Sequence, residues 1–467
     1  MIGIGIDFGT SNSAVAWFDG DKVQLLDIEP GSITVPTAIH LDREFQTLTG
    51  TEAIRCYVEE NTERRVEITA KVIGEATLDI SKATDGLAAD LDDGRFTIYG
   101  PADDYGLPGR LFLGIKRLLG KPQIKRLLVF DRPYRIVALI TPILISFRQV
   151  LHSVLQQQHR DIYLGRPVDF EGNSEDANTT ATRRLMESCQ YAQLTPIEFY
   201  PEPVAASLSF IHKNKIDTDN TILTIDFGGG TLDLSLVHYH HHEFKVLGTE
   251  GVAIGGDYID QLIFEQLLFP VLGKGVQWAR SVDGRLIETA FPFDQYEKAL
   301  LNWTITHTLN QNQYLTPIHD FIAHSNNSRD DKEKLERLRD IILHNYSYLI
   351  FQSLKSAKAE LSDATETLID IPEINTAFSF NRAQLEGIIA PVIVRLNTCI
   401  DNLLAKTSVK PGDIQFVVRT GGSSKLMAVV ELLETRFPGK VVQHDIFTSV
   451  ASGLAIASYY SYLCDIK

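Results

Sequence analysis

Cysteine is scarce in this chain, and the four present, Cys56, Cys189, Cys399 and Cys464, lie far apart with no Cys-x-x-Cys pair. That pattern suggests neither a disulfide framework nor a zinc site, and it fits a reducing cytoplasm. Basic charge is in deficit as well: 44 Lys and Arg stand against 60 Asp and Glu, a formal charge of −16. A general nucleic-acid or anionic-membrane binder needs basic surface, so both classes are excluded as expectations. The longest apolar run, residues 136–147, contains Thr141, Pro142 and Ser146 and is too short to span a bilayer. It reads as a strand end followed by a helix capped at Thr141 with Pro142 in its first turn. The N-terminus lacks the basic, apolar and small-residue order of a signal peptide. A Walker A loop is missing too, because Gly120-Lys121 is followed by Pro122 rather than Ser or Thr.

What is present is a repeat. The stretch IGIGIDFGTSNSAVAWF at 2–18 returns as ILTIDFGGGTLDLSLV at 222–237, with Asp7 and Asp226 in register 219 residues apart (226 minus 7). Each copy reads as a buried strand, a glycine-rich turn and a second strand, hence a β-hairpin with glycines at its tip. Glycines there expose successive backbone N–H groups, which form a concave anion site. Asp7 and Asp226 end the inner strands, where a carboxylate can hold a phosphate-bound magnesium through its waters. A single such turn is an ordinary hairpin; two copies half a chain apart, each followed by hydroxyls (Thr10, Ser11; Thr231), suit a polyphosphate clamped between two lobes.

The 467 residues, 44% hydrophobic and 22% charged, are ordinary for a soluble chain of two to four domains or subdomains. Strands are expected at 22–26 and 34–41 in the first hairpin's sheet, and a long excursion at 79–109. Helical spacing covers 111–119, with Lys116 and Arg117 beside it. Alternating strands and helices over 142–212 indicate an α/β lobe. Glu202 sits at the edge of a helix expected over 204–212. Gly255-Gly256-Asp257 precedes another helix, whose N–H groups can serve an anion. Residues 273–328 read as an elaborated outer subdomain and 329–361 as a long helix or a close helical pair. Gly421-Gly422 forms a turn after a strand, and 448–463 a final amphipathic helix. His238, His240, His241 and His242 read as a solvated turn rather than a metal site.

In the order IGIDFGTSNS (4–13), FLGIKRLLG (112–120), PEPVAAS (201–207), IDFGGGTLD (225–233), IGGDYID (254–260), KSAKAELS (355–362) and TGGSSKL (420–426), the chain resembles the ATPase domain of DnaK-type heat-shock chaperones, within the actin and sugar-kinase superfamily. It looks most similar to the short YegD-like branch. The resemblance implies a two-lobed α/β, actin-like fold with duplicated ribonuclease H-like lobes: lobe I at 1–219 with a C-terminal helix at 447–467 packing back on it, and lobe II at 220–446 with an outer subdomain at about 262–375. No C-terminal peptide-binding domain is expected.

The resemblance also implies roles. Gly9, Thr10, Ser11 and Asn12 on one tip and Gly228, Gly229, Gly230 and Thr231 on the other would hold phosphates, with Gly255 and Gly256 beside them. Asp7 and Asp226 would position hydrated magnesium, Lys116 would stabilise phosphate charge, and Glu202 would orient or deprotonate the attacking water. Lys358, Ser362, Gly421, Gly422 and Lys425 would border the adenosine. Lys355 stands where the family has Glu, Lys425 where it has a stacking Arg, and Phe447-Thr448 where it has Asp-Glu; lysine cannot reproduce guanidinium stacking. The implied function is slow hydrolysis of Mg-ATP to ADP and phosphate, coupling lobe closure to a protein partner or client. A catalytically weak nucleotide switch, a small-molecule kinase and a filament former are the alternatives.

Overall fold

The computed structural model describes residues 1–61, 64, 68–78, 94–104, 106–130, 132–171, 176–216, 218–240 and 243–462. Two central sheets share one plan. In the first, the hairpin Ile2–Phe8 and Asn12–Phe18 pairs antiparallel from Gly3↔Phe18 to Phe8↔Ser13, and Ile2–Phe8 continues through parallel strands His159–Arg166 and Ile197–Pro201. In the second, the hairpin Asn220–Phe227 and Leu232–His240 continues through parallel strands Phe416–Thr420 and Val441–Gln443. Strands buried on both faces read as continuous apolar runs, and Ile2, Ile4, Ile6 and Phe8 are all buried, as are Ile222, Leu223, Ile225 and Phe227.

The helix Ser449–Tyr460 covers the first sheet. A Cβ on Gly3 would lie 2.2 Å from the Ala455 carbonyl oxygen and one on Gly5 2.4 Å from that of Ala451, so only glycine admits the helix so close. The Ile4 N–H donates to Ser458 Oγ across 3.1 Å. Every residue from Ser449 to Ser458 is buried, so this helix is not the amphipathic one expected. Its second side meets the helix Glu202–Lys213, where a Cβ on Gly453 would lie 1.7 Å from the Ala205 carbonyl oxygen. Glu202–Lys213 in turn reaches the second sheet, with Ser207 Oγ 2.7 Å from Thr224 Oγ1.

Several local expectations are corrected. Residues 34–41 do not form one strand: Thr34–Pro36 pairs with Asn12–Phe18, whereas Ala38–Asp42 joins a separate three-stranded sheet between Thr47–Thr49 and Gly109–Leu113. Pro36, which has no N–H, ends the first piece. The helical spacing at 111–119 was two elements in one pattern: Leu111 belongs to the strand Gly109–Leu113, left-handed Gly114 (φ 61°) breaks it, and a short 3₁₀ turn Ile115–Leu118 follows. The helix expected from Pro142 begins six residues earlier, as Ile136–Val150. Thr141 does not cap it but donates to the Val137 carbonyl, and Pro142 is tolerated inside because the carbonyl of exposed Ala138, which it leaves unpaired, is open to water.

In the expected excursion the strand Gly94–Asp104 pairs with Ile68–Leu78; residues 79–93, His241, His242 and Cys464 lie outside the described residues. His238 Nε2 sits 3.1 Å from Asp219 Oδ1 at the end of its strand. Residues 329–361 form a pair, Arg329–His344 and Ser347–Glu360, turned by left-handed Asn345 (φ 56°). The helix Arg382–Thr407 is long and apolar enough by composition to cross a membrane, with a mean hydropathy of 1.5. The run-length reading passed over it because charges interrupt it. Its Leu385, Ile389, Leu396, Ile400 and Leu403 pack into the second lobe's core.

Candidate functional site

The two hairpin tips face each other at the floor of a cleft between the sheets. A Cβ on Gly229 would lie 2.0 Å from Ser11 Oγ and one on Gly230 2.6 Å from Thr10 Oγ1, so bare glycine is what lets the tips meet. Ser11 Oγ is buried with no hydrogen-bond partner among the described residues, and a buried hydroxyl without a partner asks for a ligand. Asp7, Gly9, Thr10, Ser11, Asn12, Glu202, Asp226, Gly228, Gly229, Gly230, Thr231, Gly421 and Gly422 all line this floor. Residues 219 positions apart are thus brought to one point from two sheets.

Lys116 and Glu202 form a buried ion pair at the same point, 4% and 6% exposed. Lys116 arrives on the 3₁₀ turn after Gly114, and Glu202 on the first turn of Glu202–Lys213. Burial is the larger cause, and the Glu202 carboxylate the next, of the upward shift of Asp7 to about 7; the Lys116 ammonium opposes both. Asp226 is raised well above the usual carboxylate range by burial, then by Glu202, Asp233 and Asp7. Four acidic groups around one ammonium are a cation-hungry set. Two carboxylates at the glycine tips, with a cradle that any Cβ would fill, fit a hydrated magnesium carrying phosphates.

Asp233, which sequence reasoning passed over, is the fourth carboxylate. It occupies in the second hairpin the place Ala14 holds in the first, is 1% exposed, and is raised to about 7 by burial and then by Glu202. Its Oδ1 accepts from the Val168 N–H at 3.0 Å, joining the sheets beneath the cleft. The repeat register was the signal that could have found it.

Arg117 was likewise named only as Lys116's neighbour. It donates to Asp257 Oδ2 at 3.2 Å and to the Gly229 carbonyl at 3.3 Å, while its Nε lies 3.3 Å from Glu171 Oε1. Gly256 and Asp257 do not present their N–H groups to the cleft: they donate to the Gly228 and Gly229 carbonyls, each at 2.9 Å. Gly255 and Gly256 therefore brace the second tip, and a Cβ on Gly255 would lie 2.3 Å from the Gly229 oxygen.

The adenosine-side residues are more dispersed. Lys358 is paired with buried Asp260 at 2.5 Å and donates to the Gly256 carbonyl at 3.1 Å. Ser362 sits just past the end of Ser347–Glu360, and Lys425 ends the 3₁₀ turn after Gly421; the floor cavity is lined by none of the three. Phe447 does line it, 56% exposed, its ring 3.5 Å from where a Cβ of Gly422 would stand. Above the floor the cleft opens into a cavity of about 630 Å³ bordered by Thr10, Arg117, Asp257, Trp303 and Lys355, within the range of roughly 300–1,000 Å³ typical of small-molecule sites. Trp303 lines it, with its ring 5.9 Å from that of Tyr57 of the first lobe and 4.8 Å from that of Tyr348 of the second.

The family described as Hsp70 protein matches this chain over residues 3–94, 141–274 and 325–459. Similar proteins include the "Chaperone protein dnaK" of Cyanophora paradoxa, 23% identical over 464 residues that cover 92% of this chain and 56% of that protein. The "Stromal 70 kDa heat shock-related protein, chloroplastic" of Pisum sativum is 25% identical over 445 residues, covering 92% of this chain and 49% of the relative. The chain spans about half the length of these curated relatives. It belongs to the Hsp70 family and has that family's two-lobed, actin-like α/β fold.

Proposed function

We propose that this chain is an ATPase that binds Mg-ATP in the interlobe cleft, hydrolyses it to ADP and phosphate, and passes lobe closure on to a protein partner or client. The observation that carries the reading is the buried Lys116–Glu202 pair, held between Asp7 and Asp226 where the glycine tips meet. Bound magnesium neutralises phosphate charge. N–H groups and hydroxyls of residues 9–12 and 228–231 orient the phosphates, and Asp7 and Asp226 hold the cation's waters. Lys116 places its ammonium against the terminal phosphate, and Glu202 accepts a hydrogen bond from the water in line with it. Arg117 and Asp257 keep the lobes together over the site.

In this reading the division falls near residue 219, the helix Ser449–Tyr460 returns to lobe I, and the chain stands with the short YegD-like branch. The excursion expected at 79–109 and the subdomain at 273–328 are the segments we assign to the partner, since distinctive insertions carry grafted function. The chain works in a reducing, cytoplasm-like compartment with Cys56, Cys189 and Cys399 outside any disulfide, and takes neither nucleic acid nor membrane. A second reading, a nucleotide switch with little turnover, is favoured by Lys355, which stands 3.7 Å from Asp257 in place of the family's acid.

Calorimetric titration with Mg-ATP and single-turnover phosphate release separate them. The expected outcome is binding and hydrolysis by the native chain, with Lys116→Ala and Glu202→Ala binding but stalled. Binding without turnover by the native chain would establish the switch, and no binding would overturn both.

A further inference from the structure

Away from the cleft, the outer part of the first lobe brings three different metal-ligating side chains to one point. His40, on Ala38–Asp42, is 1% exposed, and its Nε2 lies 3.0 Å from Glu60 Oε2. Cys56 and Glu60 are one turn apart on the helix Gly50–Asn61 and share a face. The Cys56 Sγ donates to Glu60 Oε1 at 3.3 Å. The imidazole, thiol and carboxylate ligand atoms all lie within 4.8 Å of one another.

A histidine–glutamate pair by itself needs no cation, since buried polar groups pair as a rule. The thiol on the same carboxylate is what the pair does not require. A second observation comes from Gly109, opposite Asp42 on the neighbouring strand. A Cβ there would lie 2.0 Å from His40 Nε2 and 3.1 Å from Glu60 Oε2, so glycine is what leaves these two atoms unobstructed. The Cys56 thiol donates to the Glu60 carboxylate, so without a cation the proton sits on sulfur.

We propose that His40 Nε2, Cys56 Sγ and a Glu60 oxygen bind one zinc-type divalent cation, with water as the fourth ligand. Imidazole, thiolate and carboxylate are the donors of zinc sites, and neutral imidazole with two anions balances the ion's charge. Zinc bonds of about 2.0–2.3 Å in a tetrahedron put ligand atoms roughly 3.3–3.8 Å apart. His40 lies 3.0 Å from Glu60 Oε2 and Cys56 3.3 Å from Glu60 Oε1, so with either oxygen as the ligand the trio, its ligand atoms now within 4.8 Å of one another, has to close by about 1–1.5 Å at most. Binding breaks the S–H bond and forms a zinc–sulfur bond, and that proton leaves to buffer, one per ion, while the hydrogen His40 Nε2 donates to Glu60 moves to Nδ1 so that the neutral imidazole ligates through Nε2. The ion pins Gly50–Asn61, which carries Tyr57 toward Trp303, to the strand Ala38–Asp42. The sequence reading saw no zinc site because it sought paired cysteines; this one uses a single cysteine with ligands from a strand and a helix.

The test is titration of the chelator-stripped chain with zinc chloride by calorimetry in two buffers, and with cobalt chloride by absorption. One ion should bind with one thiol proton released, and cobalt should show a thiolate charge-transfer band. Cys56→Ser, nearly isosteric, should abolish the band and weaken zinc about 100-fold or more, since even outer-shell changes weaken metal sites by 10–100-fold. Gly109→Ala should weaken binding with all three ligands kept. Equal zinc affinity in native and Cys56→Ser chains would overturn the proposal and move the ion elsewhere, for instance to His238 and His240. Absence of one-to-one binding in the native chain, or a cobalt complex without the band, would overturn it too.

Discussion

Arg117 of the first lobe reaches Asp257 of the second across 3.2 Å, and the two side chains are 28% and 31% exposed. Partly exposed pairs contribute about 1 kcal/mol or less, too little to hold the fold but enough to bias a hinge. Arg117→Ala should leave the melting temperature nearly unchanged and speed release of a fluorescent ATP analogue by roughly 2–5-fold in stopped flow. Unchanged release would remove Arg117 from the latch.

Lys116 and Glu202 behave in the opposite way because they are buried. Removing Lys116 leaves the buried carboxylates uncompensated, so Lys116→Ala should lose roughly 3–5 kcal/mol of stability, whereas Glu202→Ala, which leaves the ammonium facing Asp7, Asp226 and Asp233 and removes a charge that repels them, should lose less. Lys116→Ala also strips Asp7, Asp226 and Asp233 of the ammonium that lowers each of them, so added magnesium should restore part of the loss. Denaturant midpoints with and without magnesium read this directly.

Asp233 gives a pH dependence with a definite sign. Its carboxyl is raised from 3.8 to about 7 in the fold, so between those values the folded chain keeps a proton that the unfolded chain has released. Stability therefore falls as pH rises through that window. Asp7 and Asp226 act in the same direction. The nucleotide-free chain should be more resistant to denaturant at pH 6 than at pH 8, and Asp233→Asn should gain on the order of 1–2 kcal/mol at pH 8 with little change near pH 4. Asn can still accept from Val168 N–H.

Phe447 offers a bare ring beside Gly422 where the resemblance leads one to expect an acid. An aromatic face against a nucleobase contributes about 0.5–1.5 kcal/mol. Phe447→Ala should weaken Mg-ATP binding by roughly 2–10-fold while leaving the hydrolysis rate of bound nucleotide unchanged. Calorimetry on ATP against inorganic triphosphate checks it, because the triphosphate should be insensitive to the change.

Gly453→Ala drives a methyl to within 1.7 Å of the Ala205 oxygen. Overpacking of this kind costs about 1–3 kcal/mol, occasionally more. The variant should melt lower, and because the two helices it separates lie between the sheets, it should also lose nucleotide affinity.

The repeat was legible because it rests on local chemistry: an aspartate, glycines and hydroxyls on a buried hairpin appear as letters at fixed spacing. Both tips with Asp7 and Asp226 follow from that repeat, whereas Lys116 and Glu202 follow only from the family resemblance that the order of the motifs carries. Asp233 was hidden because its partner, Val168, is 65 residues away. Arg117 was hidden because a helical pattern masked a strand, a left-handed glycine and a 3₁₀ turn. The last helix looked amphipathic because its serines count as polar in a pattern, yet Ser449 and Ser458 find partners in Thr420 and Asp161 and are buried. Side chains that close onto each other from distant elements, such as His40 and Glu60, leave no spacing to read.

The hydrogen bond from Ile4 to Ser458 joins residues 454 positions apart. The strand Ile2–Phe8 therefore waits, while everything between them is synthesised, for the helix that covers it, with the backbone face of Gly3 and Gly5 open meanwhile. The second lobe, whose own sheet closes at Gln443, can consolidate before the first does. A chaperone-family chain built this way is itself a candidate for chaperoning until the helix Ser449–Tyr460 is made, and that helix acts as the release from that state.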